Sequence, residues 1–263
     1  MSASARKYDG LLMGVAAAHI TYVGHSTVLV DMDGVRLLTD PLLRPRLLHL
    51  RRVGKVDASA LRDIDAVLIS HLHFDHLDVA SLRQLGRDVP VVAPRGSGRL
   101  LKRKRFRTVT ELGVGDELRI GDLVIRGTRA LHDPGRVPLG RRVEPMGYVL
   151  AGSRSVYFAG DTEVFEGMAA LGPLDVALLP IWGWGPSLGP GHMNPRSAAD
   201  AARILRTSIA IPIHWGTYFP LDTGLRGAPD FLDAPPEEFR AVMREVAPDV
   251  EVRVLRPGDQ TDI

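Results

Sequence analysis

Apolar residues fall into short runs separated by polar or glycine-rich breaks, the pattern of strands buried in an α/β core. The first stretch, Ile20 to Pro41, holds two β-type runs that meet at Asp33-Gly34, a strong hairpin signal. Asp65-Ala66-Val67-Leu68-Ile69 reads as a buried strand, and Pro90 to Ala93 as another. Val109 through Arg129 alternates so as to predict two or three strands, with turns at Gly113-Val114-Gly115 and Gly121-Asp122. Further strands are expected at Ser155 to Phe158, Leu174 to Ile181 and Ile209 to Ile213, and a final one at Val250 to Leu255, stopped by Pro257-Gly258. Helices are expected from Val79 to Arg87, from Ser197 to Leu205 behind the Asn194-Pro195 start signal, and from Pro235 to Val246. Residues 41–62 carry Arg44, Arg46, Arg51, Arg52 and Lys55 among leucines, which predicts a surface loop or short helix. With no repeat, low-complexity tract or linker-like shift, residues 1–263 are expected to form a single domain.

Composition narrows the functional classes. The chain is 45% hydrophobic, enough for a full core, yet no apolar run approaches the roughly 18 residues of a membrane-crossing helix. Leu11 to Ala18 behind Arg6-Lys7 faintly mimics a signal peptide, but it is short, holds Gly14 and runs into the first strand, so a cytoplasmic location is expected. The absence of cysteine removes disulfides and thiolate ligands. Charge is uneven: residues 1–110 hold 18 Lys/Arg against 10 Asp/Glu, and the remainder 15 against 21. The densest basic run, Arg99 to Arg107, is either a solvated face or a surface for steering an anionic substrate or contacting phosphates. One aromatic and no second basic-aromatic cluster make a dedicated nucleic-acid module a weak reading, with the Arg99 to Arg107 run its one candidate contact. An oligomer is compatible with this composition.

Chemistry concentrates in Ser70-His71-Leu72-His73-Phe74-Asp75-His76-Leu77-Asp78, directly after the strand of residues 65–69. Residues there sit on a loop at a strand's C-terminal end, where open α/β folds usually place their chemistry. His71 and His73 are spaced to point the same way, Asp75 and His76 follow as the chain turns, and Asp78 is placed to cap the next helix. Imidazole and carboxylate together suit zinc or another borderline first-row metal.

The stretch resembles the HxHxDH signature of the metallo-β-lactamase superfamily. The segments GHST, TDP, SHLHFDHLD, FAGDT, GHMNP and HWGTY look closest to the branch containing N-acylphosphatidylethanolamine-hydrolysing phospholipase D and the ascorbate-6-phosphate lactonases. The resemblance implies an α/β fold, a four-layer αββα sandwich. It also implies two divalent metal ions, Zn2+ first, with Mn2+ or Fe2+ as alternatives. His71, His73 and His132 would hold the first metal, Asp75, His76 and His214 the second, with Asp161 as the bridge. Asp75, His192 and Asp40 are the candidate catalytic residues: His192 to hold or protonate the substrate, Asp75 to move the proton, Asp40 close to the metals. His25 is expected beside the site or as a structural histidine, and the Gly-rich loop from Trp182 to Gly191 as a pocket wall. The implied activity is hydrolysis of a small anionic or ester substrate by a metal-bridging hydroxide, first a phosphodiester of phospholipase D or nucleotide type. A lactone or another ester or amide is the alternative. Redox chemistry like that of flavodiiron relatives and non-catalytic binding are the other classes, and His73 stands where flavodiiron proteins carry a carboxylate.

Overall fold

Ala66 and Leu68 point into one apolar core while Val67 and Ile69 point into another. A strand buried on both faces must lie inside a layered structure, and the rest of the chain supplies the layers. The computed structural model describes residues 18–135, 142–182, 189–220 and 232–263.

An antiparallel meander opens the chain: β1 (His19–Gly24), β2 (Thr27–Met32) and β3 (Val35–Thr39). Its hairpin turns at Asp33 (φ 53°) and Gly34 (φ 75°), both left-handed as a two-residue turn of this type requires. A small hairpin follows, β4 (Arg46–Leu47) with β5 (Leu50–Arg52). Then come β6 (Ala66–Leu68), α1 (Val79–Leu85), β7 (Val91–Pro94), α2 (Gly98–Arg103) and β8 (Val109–Leu112). The middle of the chain forms β9 (Glu117–Ile120), β10 (Leu123–Arg129), β11 (Met146–Ala151), β12 (Ser155–Phe158) and β13 (Leu174–Pro180). The last part gives α3 (Pro195–Leu205), β14 (Thr207–Ile213), β15 (Tyr218–Pro220), α4 (Ala234–Val246), β16 (Glu251–Val252) and β17 (Gln260–Asp262).

Two mixed seven-stranded sheets result, in the orders β17-β1-β2-β3-β6-β7-β8 and β16-β14-β13-β12-β11-β10-β9. Their inner faces share one core, to which Ile20, Val28, Val30 and Leu68 come from the first sheet and Ile125, Tyr148, Val156 and Leu178 from the second. Leu82 of α1 and Leu101 of α2 cover the outer face of the first sheet with Val67 and Val91. The helix α3 lies on β13 and β14 and packs against α4, covering the second sheet. This is the four-layer αββα architecture of the metallo-β-lactamase fold.

The sequence expectation needs correction in three places. Residues 41–62 are not simply loop or helix, because β4 and β5 pair with β15 in a third, three-stranded sheet. Alternation decides it: Leu47 and Leu50 turn inward onto Leu42 and Tyr218, while Leu48 at the hairpin tip is 74% exposed. The strand expected over Val250–Leu255 shrinks to β16, which pairs with β14 at two positions only. The chain then turns past Pro257-Gly258 and adds β17 to β1 in the other sheet, His19 opposite Asp262. Likewise the alternating stretch 109–129 is split: β8 closes the first sheet, whereas β9 and β10 belong to the second. The signal-like segment before Ala18 and residues 183–188 of the Trp-Gly loop lie outside the described residues.

Candidate metal centre

The parallel pairings β3–β6 and β12–β13–β14 aim the C-terminal ends of these strands at the same edge of each sheet. Asp40 follows β3, His71 and its neighbours follow β6, His132 follows β10, Asp161 follows β12 and His214 follows β14. Residues more than a hundred apart in sequence thereby meet at one end of the sandwich.

Four overlapping groups of donor atoms form among the described residues, and two of them hold six of the predicted ligands. In the first, His73 Nδ1 lies 3.1 Å from His71 Nε2 and 2.9 Å from His132 Nε2. In the second, Asp75 Oδ2 lies 3.3 Å from His76 Nε2, 3.8 Å from His214 Nε2 and 2.9 Å from His25 Nε2. Within each group every donor atom is within 4.8 Å of the others. Asp161 stands between them, with Oδ2 3.1 Å from His76 Nε2 and 4.0 Å from His132 Nε2, and Oδ1 3.3 Å from His214 Nε2. His192 Nε2 approaches the same Oδ2 at 3.6 Å, and its ring stands edge-on to His132.

The outer nitrogens of these rings are tied back to acceptors. His76 Nδ1 donates to Asp40 Oδ2 at 2.7 Å, His73 Nε2 to the Gly135 carbonyl at 2.7 Å and His132 Nδ1 to the Gly191 carbonyl at 2.8 Å. His214 Nδ1 donates to the Trp182 carbonyl, and His192 Nδ1 to that of Gly189 at 3.0 Å. Carbonyl and carboxylate oxygens only accept here, so each outer nitrogen carries a proton, and a ring that is otherwise neutral presents the lone pair of its inner nitrogen to the interior. That is the arrangement by which imidazoles are oriented for a cation. Fit is also visible in what lacks a partner: the buried atoms His76 Nε2 and Asp161 Oδ1 have no hydrogen-bond partner although ligand-type atoms crowd them.

Electrostatics point the same way. Burial pushes the His71 imidazole well below its ordinary value, His132 down to about 4 and His25 down to about 3, so these rings are neutral and ligand-like. Burial would also depress His76 and His214, but the Asp161 and Asp75 carboxylates outweigh it, lifting His76 well above its usual range and His214 to about 9. Burial would raise both aspartates, yet the surrounding imidazoles hold them well below the usual carboxylate range. Two buried carboxylates thus call for positive charge, which protons on His76 and His214 supply here and which divalent cations would supply by displacing them.

Local strain marks the same edge. His25, Asp40 and His214 adopt left-handed backbone with φ of 59°, 33° and 64°. Such conformations cost free energy and concentrate at functional sites. Gly160 (φ 61°) lets β12 pass Ser70: a Cβ there would stand 2.7 Å from the Ser70 Cβ.

All seven sequence-predicted ligand residues and His192 therefore lie in one cluster, with Asp40 behind His76 and fully buried. Sequence reasoning left His25 undecided, and the structure brings it into the second group, 1% exposed and 3.9 Å from His214 between ring centroids. The available signal was its place directly after a strand end, as His214 directly follows β14. On the flank, Trp182, Asn194, Pro195 and Ala234 help line a cavity of about 510 Å³. The basic helix α2 contributes nothing to the cluster among the described residues.

Residues 35–215 match the Beta-lactamase superfamily domain. The chain is 34% identical to a metal-dependent hydrolase of Rubrobacter xylanophilus over 94% of its own length and 97% of that protein's. It is 30% identical to N-acyl-phosphatidylethanolamine-hydrolyzing phospholipase D 1 of Caenorhabditis elegans, over 77% of this chain and 65% of that protein. Among solved structures, a metallo hydrolase from the archaeon Ignicoccus hospitalis superposes with a TM-score of 0.68 at 26% identity, over 94% of this chain and 98% of the other.

Proposed function

The chain belongs to the beta-lactamase superfamily, among its metal-dependent hydrolases, and we propose that it cleaves a phosphodiester at a dinuclear centre. The observation that carries this reading is the position of Asp161 between two histidine groups whose inner nitrogens face each other. His71, His73 and His132 would hold one cation. Asp75, His76 and His214 would hold the other, with Asp161 between. An imidazole and carboxylate donor set without thiolate suits zinc, and also accepts manganese or iron. Bound there, two such cations supply a hydroxide nucleophile near neutral pH and Lewis acidity toward the oxygen that gains charge.

The protein's own part is positioning and proton transfer. His192 is the candidate proton donor: it is half-buried, its Nδ1 is tied to the Gly189 carbonyl, and its Nε2 faces the centre. From there Nε2 can protonate the leaving oxygen. Asp75 Oδ2, held by His25 Nε2, is a second group able to shuttle a proton. Asp40 reaches the centre only through His76 and Ser70, so its role is orientation. The flanking cavity, walled by Trp182 and Pro195, offers room for the body of the substrate. The Caenorhabditis elegans relative's name favours a phosphodiester; lactones and other esters are the alternative, since both reactions develop an oxyanion.

Elemental analysis of purified protein is expected to find close to two metals per chain. Bis(p-nitrophenyl) phosphate should then be turned over faster than simple lactones. Faster lactone cleavage would shift the assignment to a lactonase, and absence of bound metal with no metal restoring turnover would end the reading.

A further inference from the structure

One serine connects the two histidine groups. Ser70 precedes His71, is 1% exposed, and its Oγ donates a hydrogen bond to Asp40 Oδ2. Because that proton is committed, the Oγ lone pair accepts from His71 Nδ1 at 2.9 Å. The Ser70 backbone N–H donates to the other oxygen, Asp40 Oδ1, at 2.7 Å. Asp40 Oδ2 takes a further hydrogen bond, from His76 Nδ1 at 2.7 Å. The chain of donors therefore runs from His71 through Ser70 to Asp40, and back from His76 to the same carboxylate. His71 belongs to the group with His73 and His132 and His76 to the group with Asp75 and His214, and both rings also form a group with Asp40.

We propose that Ser70 is a positioning residue that sets the tautomer and orientation of His71, so that one buried carboxylate, Asp40, orients a ligand of each metal. His76 meets Asp40 directly, whereas His71 reaches it only through the Ser70 hydroxyl. A carboxylate placed against both rings would need each within hydrogen-bond reach of its oxygens, and Ser70 Oγ spans the gap to the more distant one. Packing supports the assignment. Gly160 leaves room for Ser70, since a Cβ there would meet the Ser70 Oγ at 3.0 Å as well as its Cβ. The hydroxyl is thus confined between β12, Asp40 and His71, with little freedom to turn elsewhere. At His73, His132, His192 and His214 the outer nitrogen meets a backbone carbonyl, which no substitution removes; at His71, as at His76, it meets a side chain.

This inference rests on the dinuclear reading, and cobalt(II) titration of the metal-free protein separates the two. His132→Ala and His214→Ala label the binding steps by abolishing one each. Ser70→Ala is expected to weaken the step lost in His132→Ala by about 10–100-fold, the usual effect of removing a partner behind a ligand, and to leave the other step unchanged. Long-range 1H–15N spectra of the metal-free protein should show His71 protonated at Nδ1 in the wild type and a mixture of tautomers in Ser70→Ala. That readout would not move if the serine only filled space. Two cobalt steps that are both unchanged, or both equally weakened, in Ser70→Ala overturn the inference and leave the dinuclear reading standing. No cobalt binding by the wild type overturns both.

Discussion

Asp161 Oδ2 stands 3.1 Å from His76 Nε2 and 4.0 Å from His132 Nε2, so one carboxylate of β12's end touches imidazoles delivered by two different sheets. Its other oxygen lies 3.3 Å from His214 Nε2. Replacing it with alanine leaves His76, His132 and His214 without their shared anion. Asp161→Ala is expected to lose at least one metal and essentially all turnover, as measured by elemental analysis and a phosphodiester assay. Retention of both metals would show that the bridge is dispensable.

His192 and His214 should separate by function. Nδ1 of His214 is held by the Trp182 carbonyl and the ring is fully buried, whereas the His192 side chain is 20% exposed at the rim. His214→Ala is expected to lose one metal. His192→Ala should keep both while turnover falls by roughly 10²–10⁴, the range for losing a general acid or base. Metal analysis of the two variants checks this, and loss of metal from His192→Ala would reassign that residue as a ligand.

A third expectation concerns His25, whose Nε2 is 2.9 Å from Asp75 Oδ2 and whose backbone N–H is tied to Thr217 Oγ1 at 2.7 Å. Without the ring, Asp75 is less firmly oriented. His25→Ala should weaken the metal site of Asp75, His76 and His214 by about 10–100-fold in chelator competition, with the other site spared.

Gly160→Ala should destabilise the fold and disturb the centre together. The backbone there is left-handed, and the added methyl would press on Ser70. A loss of roughly 1–3 kcal/mol is expected in urea unfolding, accompanied by weaker metal retention. A variant with wild-type stability would show that the strand shifts freely.

At α3, Asn194 accepts from the Ser197 N–H while the Ser197 hydroxyl accepts from the Asn194 N–H, a reciprocal cap two residues beyond His192. Asn194→Ala is expected to cost about 1 kcal/mol of stability. Thermal melting checks the size. A fall in turnover without metal loss would show that the cap also holds His192 in place.

Much of this protein was legible in order along the chain because it depends on local rules. Short apolar runs located β2, β3, β6, β12, β13 and β14, Asp33-Gly34 marked the hairpin, and Asn194-Pro195 marked the start of α3. The ligand-type cluster from His71 to His76 was visible because its members are neighbours in sequence. Other features depended on which strands pair. Asp40 faces Ser70 and His76 because β3 and β6 run parallel with Thr39 opposite Leu68, a register that no local pattern encodes. His25 joins Asp75 because β1 ends at the same edge as β6. The hairpin of β4 and β5 and the return of β17 to β1 involve only two or three residues per strand, too short for alternation to declare itself. The sequence alone determined which residue types stand at strand ends. Only the tertiary structure decided which of them share an acceptor, because that choice follows from long-range register and burial.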